Sequence, residues 1–274
     1  MIKNTNLFKK SFDKKMTCKI CNSYSNQAFK VQVLKKYDVK YFKCDNCGYL
    51  FTEDPFWLDE SYQNSINISD TGLIDRNISF SKILCVLIYF NFNTDGKFLD
   101  YAGGYGIFTR LMRDIGFDFY WHDIYTQNLL AKGFEADTNR DCKYELVTAF
   151  EVFEHLVDPK NEITRMLQHS DTIVFSTELL PSNIPEPSQW WYYGFEHGQH
   201  ISFYSKNTFT WLANYFGLKY YYLNGIHFLT SKKLNYSTLI FEKKLYKYGL
   251  YSFVKKLMKS KTLSDSLMLR SSKK

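Results

Sequence analysis

Two short cysteine pairs carry the first recognisable chemistry. Cys18-Lys19-Ile20-Cys21 and Cys44-Asp45-Asn46-Cys47-Gly48 stand twenty-two residues apart. Two residues between thiolates let both converge on one ion at about 2.3 Å, and a second such knuckle completes a tetrahedron. Phe29, Val31 and Val33, then Tyr37, Val39 and Tyr41, alternate like strands between the knuckles, which predicts a zinc-ribbon-like module over 16–52. Four sulfurs leave no open position, so the ion would be structural. Four unmetallated buried thiols are the plainer alternative, and a redox role would need only one pair.

Asp100-Tyr101-Ala102-Gly103-Gly104-Tyr105-Gly106 is the second constellation, set between a strand-like and a helix-like stretch. An open α/β sheet binds its ligands at such a turn. A dinucleotide fingerprint would place a third glycine where Thr109 stands, and no Gly-Lys-Ser/Thr follows, so neither that motif nor a P-loop fits. What remains is an acid followed by close glycines, which can bring backbone against a ligand or form only a tight turn. Asp123 ends the next strand, where a carboxylate can accept from both hydroxyls of a ribose.

The elements that must position these groups run as alternating strands and helices from Lys97, which indicates a parallel sheet covered by helices. Strands are expected at 98–101, 118–122, 144–150 and 172–176, and over 218–229. Phe108, Leu111, Met112 and Ile115 predict a helix that Gly116 stops; Asp158 and Pro159 open another over Ile163, Met166 and Leu167; Ser205 caps a third that Gly217 ends. The domains follow: a flexible lead-in over 1–15, the cysteine module over 16–52, and a helical connector over 53–96 without chemistry of its own. A main domain spans 97–231, and a basic helical tail 232–274.

The 274 residues carry 35 Lys+Arg against 28 Asp+Glu, and 45% are hydrophobic, so a disordered chain is excluded. Residues 231–274 hold 12 Lys+Arg and 2 Asp+Glu, leaving the rest of the chain at −3. Such a tail could touch nucleic acid, an anionic membrane surface or a glycan-assembly partner, although a solvated lysine-rich face is the plainer reading. No apolar run approaches the roughly 20 residues of a spanning helix, and the Lys-rich start lacks a signal-like apolar stretch, so a cytoplasmic protein is expected.

Phe98-Leu99-Asp100-Tyr101-Ala102-Gly103-Gly104-Tyr105-Gly106, Trp121-His122-Asp123-Ile124 and the stretch from Tyr144 through Phe150-Glu151-Val152-Phe153-Glu154-His155-Leu156 together resemble the class I S-adenosylmethionine-dependent methyltransferases over about 97–231. The resemblance implies a Rossmann-like α/β sheet, mostly parallel and seven-stranded, and S-adenosylmethionine as cofactor. Carried over by position, Asp100, Ala102, Gly104 and Gly106 would hold its methionine part, Asp123 its ribose, and Phe150 and Glu151 would border cofactor and acceptor. Asp137 would follow the third strand, where the family often contacts adenine. Ala102 departs from the family's first glycine, which implies weakened rather than lost binding. The double Cys-x-x-Cys module in front is similar to sugar methyltransferases of deoxysugar and cell-surface glycan synthesis. The carbon-methylating members carry a further C-terminal domain that this sequence has no room for, so hydroxyl methylation is expected.

Gln189-Trp190-Trp191-Tyr192-Tyr193-Gly194-Phe195-Glu196-His197-Gly198-Gln199-His200 offers flat apolar faces beside hydrogen-bonding groups, which suits a sugar or nucleotide-sugar acceptor, although core packing is the alternative for the aromatics. With an activated methyl donor, the protein must align the acceptor oxygen and remove a proton. His197 and His200 are the candidate bases, Glu196 is orienter or alternative base, and His155 is third. No set of His, Asp and Glu has open-site spacing, so no catalytic metal is expected. An RNA methyltransferase with a zinc module and basic tail, and a non-enzymatic scaffold with a degenerate loop, are the competing functions.

Overall fold

The computed structural model describes residues 15–63, 70–137 and 142–271, so the lead-in expected over 1–15 lies outside it apart from Lys15. The N-terminal sheet begins with β1 (Met16–Thr17), β2 (Tyr24–Val33), β3 (Tyr37–Lys43) and β4 (Leu50–Thr52), all antiparallel neighbours. Val33, Val39, Tyr41 and Leu50 are buried on one face of it and Phe42 and Phe51 on the other, so both faces are covered where β3 meets β4. A short α1 (Leu58–Ser61) leads to α2 (Leu73–Asn91). Residues Ile83 through Ile88 of α2 are all buried, so this stretch of the helix is apolar all round because it lies between packed layers rather than on a surface.

The main domain then alternates: β5 (Lys97–Tyr101), α3 (Ile107–Ile115), β6 (Asp118–His122), β7 (Leu146–Phe150), α4 (Pro159–His169) and β8 (Thr172–Ser176). Two residues, β9 (Ser202–Phe203), precede α5 (Lys206–Tyr215), β10 (Lys219–Tyr222) and β11 (His227–Thr230). The sheet runs β10-β11-β8-β7-β5-β6, with β6, β5, β7 and β8 parallel and the last two strands antiparallel. Central strands β7 and β8 are almost wholly buried because helices cover both faces. The expected caps are in place: Asp158 Oδ1 accepts from Asn161 N at 3.2 Å, and Ser205 and Thr208 form a reciprocal capping box.

Three features differ from the sequence reading. Six strands form this sheet among the described residues, not seven; beyond β6 the place of a further strand is a single bridge between Trp121 and Glu135. The cysteine module is not a separate unit, because β9 pairs with β4 (Leu50 opposite Phe203, Phe51 opposite Ser202), so its sheet is completed by a segment from within the main domain. The C-terminal helices α6 (Tyr236–Leu245), α7 (Leu250–Leu257) and α8 (Thr262–Ser271) are built into the fold: Leu239 and Val254 are buried against α2, and Asp265 against α3. No helix among the described residues is long and apolar enough to cross a membrane.

Candidate functional site

The carboxyl ends of β5, β6 and β7 meet at one edge, with Tyr101 opposite His122 and Asp100 opposite Thr148. A cleft of about 970 Å³ opens there, within the range of small-molecule sites. Asp100 lines the floor of the cleft but is buried, its carboxylate accepting from Thr109 Oγ1 at 2.8 Å and Thr148 Oγ1 at 3.0 Å, so it organises the loop from beneath. Burial pushes it up to about 6, against the pull of those two hydroxyls.

Gly104 presents bare backbone, with open space where a Cβ would stand. Gly106 does not line the cleft; it starts α3 at φ 82°, and a Cβ there would press on Asn128 Oδ1 and Ala131. Its role is to pack the turn. Ala102 stands at φ 56°, the left-handed region that favours glycine, so the departure noted in the sequence is a strained residue. Asp123 Oδ2 accepts from Gly104 N at 3.0 Å, and Oδ1 from the N–H groups of Tyr125 and Thr126 at 2.7 and 2.8 Å. One acceptor position remains on Oδ2, enough for one ribose hydroxyl rather than the two expected. Asp137 is not among the residues lining the cleft.

Phe150 and Glu151, at the end of β7, both line the cleft. Phe150 stacks on Phe80 at 4.4 Å, and Glu151 accepts from Ser176 Oγ at 2.5 Å, with burial raising it to about 7. Arg76 lies 3.8 Å from Glu151 Oε2 and bonds Asp70 at 2.7 Å. Thus α2, read as a connector without chemistry, contributes Arg76 and Phe80, and Tyr62 from the same segment stands beside Tyr125 and His155. A lone arginine and tyrosine in helical text gave no signal in the sequence.

The opposite wall is the 179–204 segment, tied down by Leu180 N to Tyr204 O at 2.8 Å and Ile201 N to Glu154 O at 2.9 Å. Its aromatic run divides: Tyr193 is core, stacked on Phe195 and packed against Phe29, and Trp190 packs beside it, whereas Trp191 is 81% exposed at the cleft. Core packing is therefore right for most of the run, and Trp191 is its free face.

Glu196, His197, His200 and His155 all line the cleft. His197 lies 4.7 Å from His200, which lies 5.0 Å from His155, ring to ring. Among the described residues these rings bond to backbone groups rather than to Glu196. His155 Nδ1 is 3.1 Å from Gln199 O and His200 Nδ1 2.6 Å from Tyr192 O. A carbonyl only accepts, so both Nδ1 atoms carry hydrogen and both Nε2 atoms keep a lone pair. His197 is the reverse: Nδ1 accepts from Gln199 N at 3.2 Å, which makes its Nε2 a donor. The tautomers thus favour His155 and His200 over His197 as bases. Burial holds all three rings below the ordinary histidine value, His200 furthest, where burial is the main cause and the neighbouring His155 and His197 rings add to it.

Glu154, buried beneath them, has no well-formed hydrogen bond to either carboxylate oxygen among the described residues, and burial pushes it up to about 7 against the weak pull of the Tyr192 and Thr177 hydroxyls. With His155 and His200 it brings three ligand atoms within 4.8 Å of one another, a set that the sequence spacing did not reveal. The four module cysteines form the second such group; Cys18 and Cys47 sulfurs are 3.6 Å apart, and those of Cys21 and Cys44 3.3 Å. Thiolates at 2.3 Å from one tetrahedral ion would stand about 3.8 Å apart, so this cage fits zinc with slight expansion.

A family model described as a methyltransferase domain matches residues 79–223, more than half of the chain. Among curated proteins none matches. Similar solved structures include magnesium protoporphyrin IX methyltransferase from Synechocystis PCC 6803 with SAH bound, 14% identical over 63% of this chain and 90% of that one at a TM-score of 0.39. A possible histamine N-methyltransferase from Thermotoga maritima is 11% identical over 59% and 92%, with a TM-score of 0.41. A methyltransferase of calicheamicin biosynthesis is 10% identical over 56% of this chain, which spans 54% of that one, with a TM-score of 0.37.

Proposed function

Since the chain belongs to the methyltransferase domain family, we propose that it is an S-adenosylmethionine-dependent enzyme that methylates a hydroxyl of a sugar or nucleotide sugar in cell-surface polysaccharide synthesis. The observation that carries this reading is the shared cleft: the glycine loop and Asp123 form one half, and Trp191 with the histidine corner forms the other. Bound S-adenosylmethionine supplies an activated methyl on a sulfonium. The chain's residues do the rest. The bare backbone at Gly104 and the remaining acceptor position on Asp123 would hold the cofactor, with Phe150 and Glu151 at its side. Trp191 and Tyr62 offer rings for a sugar face. Nε2 of His200 or His155 would accept the hydroxyl proton as the oxygen attacks, and both rings are neutral near pH 7 because burial lowers them.

The cleft's charge supports a small neutral acceptor. Asp59, Asp70, Asp123, Asp158, Glu162 and Glu196 line it against Arg76 and Arg165, a field that repels a polyphosphate such as RNA. The phosphates of a nucleotide sugar would have to seat on those two arginines. Zn2+ in the Cys18, Cys21, Cys44 and Cys47 cage would hold the N-terminal sheet, with no catalytic part. Calorimetric titration with S-adenosylmethionine and S-adenosylhomocysteine tests the cofactor half, and an acceptor screen starting with neutral sugars and nucleotide sugars tests the other. Micromolar cofactor binding with turnover of a sugar supports the reading. Binding with turnover of RNA alone would overturn the acceptor, and no binding by folded protein would overturn the enzyme.

A further inference from the structure

We propose that Glu154, His155 and His200 form a site for a divalent transition cation on the floor of the cleft, Zn2+ being the closest match to its donors. Glu154 and His155 lie on a single 3-10 turn, Phe153–His155, that follows β7. His200 arrives from the far wall, and Ile201 N bonding to Glu154 O at 2.9 Å fixes how it arrives. One carboxylate oxygen and one nitrogen of each ring lie within 4.8 Å of one another, close enough for small movements to place them on one ion.

Two observations set this cluster apart from a chance meeting. Both rings give Nδ1–H to a backbone carbonyl, Gln199 O and Tyr192 O, which fixes the tautomer and turns the Nε2 lone pair outward. Metal-binding histidines are held in this way by their outer partners. Glu154 is fully buried, and among the described residues neither carboxylate oxygen makes a well-formed hydrogen bond; the hydroxyls of Tyr192 and Thr177 stand near enough to pull weakly against its burial, but they bond each other at 3.1 Å. A buried carboxylate without a partner is costly, and a cation would be that partner.

Two imidazoles and a carboxylate suit zinc, iron, cobalt or nickel rather than magnesium or calcium. Three protein ligands also leave a position open, unlike the closed cysteine cage. That position would face the acceptor half of the cleft. On the methyl-transfer reading, an ion held by Glu154, His155 and His200 would supply Lewis acidity to the acceptor hydroxyl, whose proton would then leave to water. The O–C bond then forms as the S–C bond breaks, and the two rings serve as ligands instead of bases.

The test uses full-length protein shown by metal analysis to hold one zinc per chain, titrated with Co2+ under calorimetry and visible absorption. One further equivalent should bind, with weak ligand-field bands and no thiolate charge-transfer band, and Glu154→Gln and His200→Ala should each weaken it at least tenfold. Circular dichroism and S-adenosylmethionine titration show whether each variant is folded, and His155→Asn replaces any that is not. No uptake beyond the first zinc, uptake with a thiolate band, or uptake that folded variants leave unchanged would overturn the site. Loss of cofactor binding in the wild type would instead overturn the methyltransferase reading, while cobalt uptake would still report on the cation site.

Discussion

The backbone N–H of Gly104 donates to Asp123 Oδ2 at 3.0 Å, so the acid that follows β6 already holds the glycine loop after β5 before any ligand arrives. Removing it should act twice, on the ribose contact and on the loop. Asp123→Ala is expected to weaken S-adenosylmethionine binding about 10- to 100-fold, the worth of one hydrogen bond to a charged group. Asp123→Asn, which keeps an acceptor, should fall between. Calorimetry of both variants checks this, and unchanged affinity in Asp123→Ala would remove the ribose role.

Ala102 sits at φ 56°. An alanine in that region costs roughly 1 kcal/mol that glycine avoids, while glycine gives back part of it as unfolded-chain entropy. Ala102→Gly should therefore hold or raise stability by up to about 1 kcal/mol and bind cofactor as tightly or more tightly. Urea unfolding and calorimetry measure the two effects. A clear loss of stability would mean that the Ala102 methyl makes contacts worth more than its strain.

What was legible in the sequence was local. Gly116, Asp158-Pro159 and Ser205 punctuate helices through their own backbone preferences, and the strands 118–122 and 172–176 lie where their apolar runs placed them. What stayed hidden depends on distant partners. Nothing near Leu50 announces that Phe203 will pair with it, and nothing near Glu154 announces His200. Arg76 reads as an ordinary helical residue until the sheet edge brings Glu151 within 3.8 Å. The aromatic run at 190–193 misled because ring type gives affinity for apolar surroundings and not their identity; Tyr193 found the core, Trp191 the cleft.

The cysteine cage supports more than its own sheet. Thr208 Oγ1 donates to Cys47 O at 2.9 Å, so the first turn of α5 rests on the second knuckle. Cys44→Ser should lose the zinc and lower stability by several kcal/mol, because the ion's binding energy is folding energy in such sites. The expected signs are zinc content near zero by metal analysis and an unfolding midpoint well below the wild type's. A zinc-free wild type would show the cage to be unmetallated thiols, and a zinc-free variant of wild-type stability would show that the ion does not hold the fold.

Asp100 gives a pH dependence with a definite sign. Its folded value, about 6, lies above that of a free aspartate, so the folded state binds more protons across that interval and stability falls as pH rises through it. The amide introduced by Asp100→Asn cannot ionise, and the hydroxyls of Thr109 and Thr148 can each donate to it or accept from it. The stability of Asp100→Asn relative to wild type should therefore climb from about pH 4 and level off above about pH 6, by about 3 kcal/mol. Denaturant unfolding at several pH values measures it. A flat difference would place the carboxylate in a better-solvated setting than its burial indicates.

Asp265 makes the basic C-terminal segment part of the fold rather than a solvated tail. Its two oxygens take Arg113 Nε and Nη2, both at 2.8 Å, and Arg110 adds a third bond at 2.9 Å. Arg113 and Asp265 are both about 95% buried, so loss of the acid strands a guanidinium that only Asp118 and Phe119 O then serve. Asp265→Ala should cost about 3 kcal/mol. The double variant Arg113→Met with Asp265→Leu should cost less than that single change, because apolar groups need no partners. Since α3 begins at the glycine loop, the single variant should also bind S-adenosylmethionine less tightly, and the double variant should recover. Equal losses in both variants would mean that α8 is held by its apolar contacts and that the ion pair is incidental.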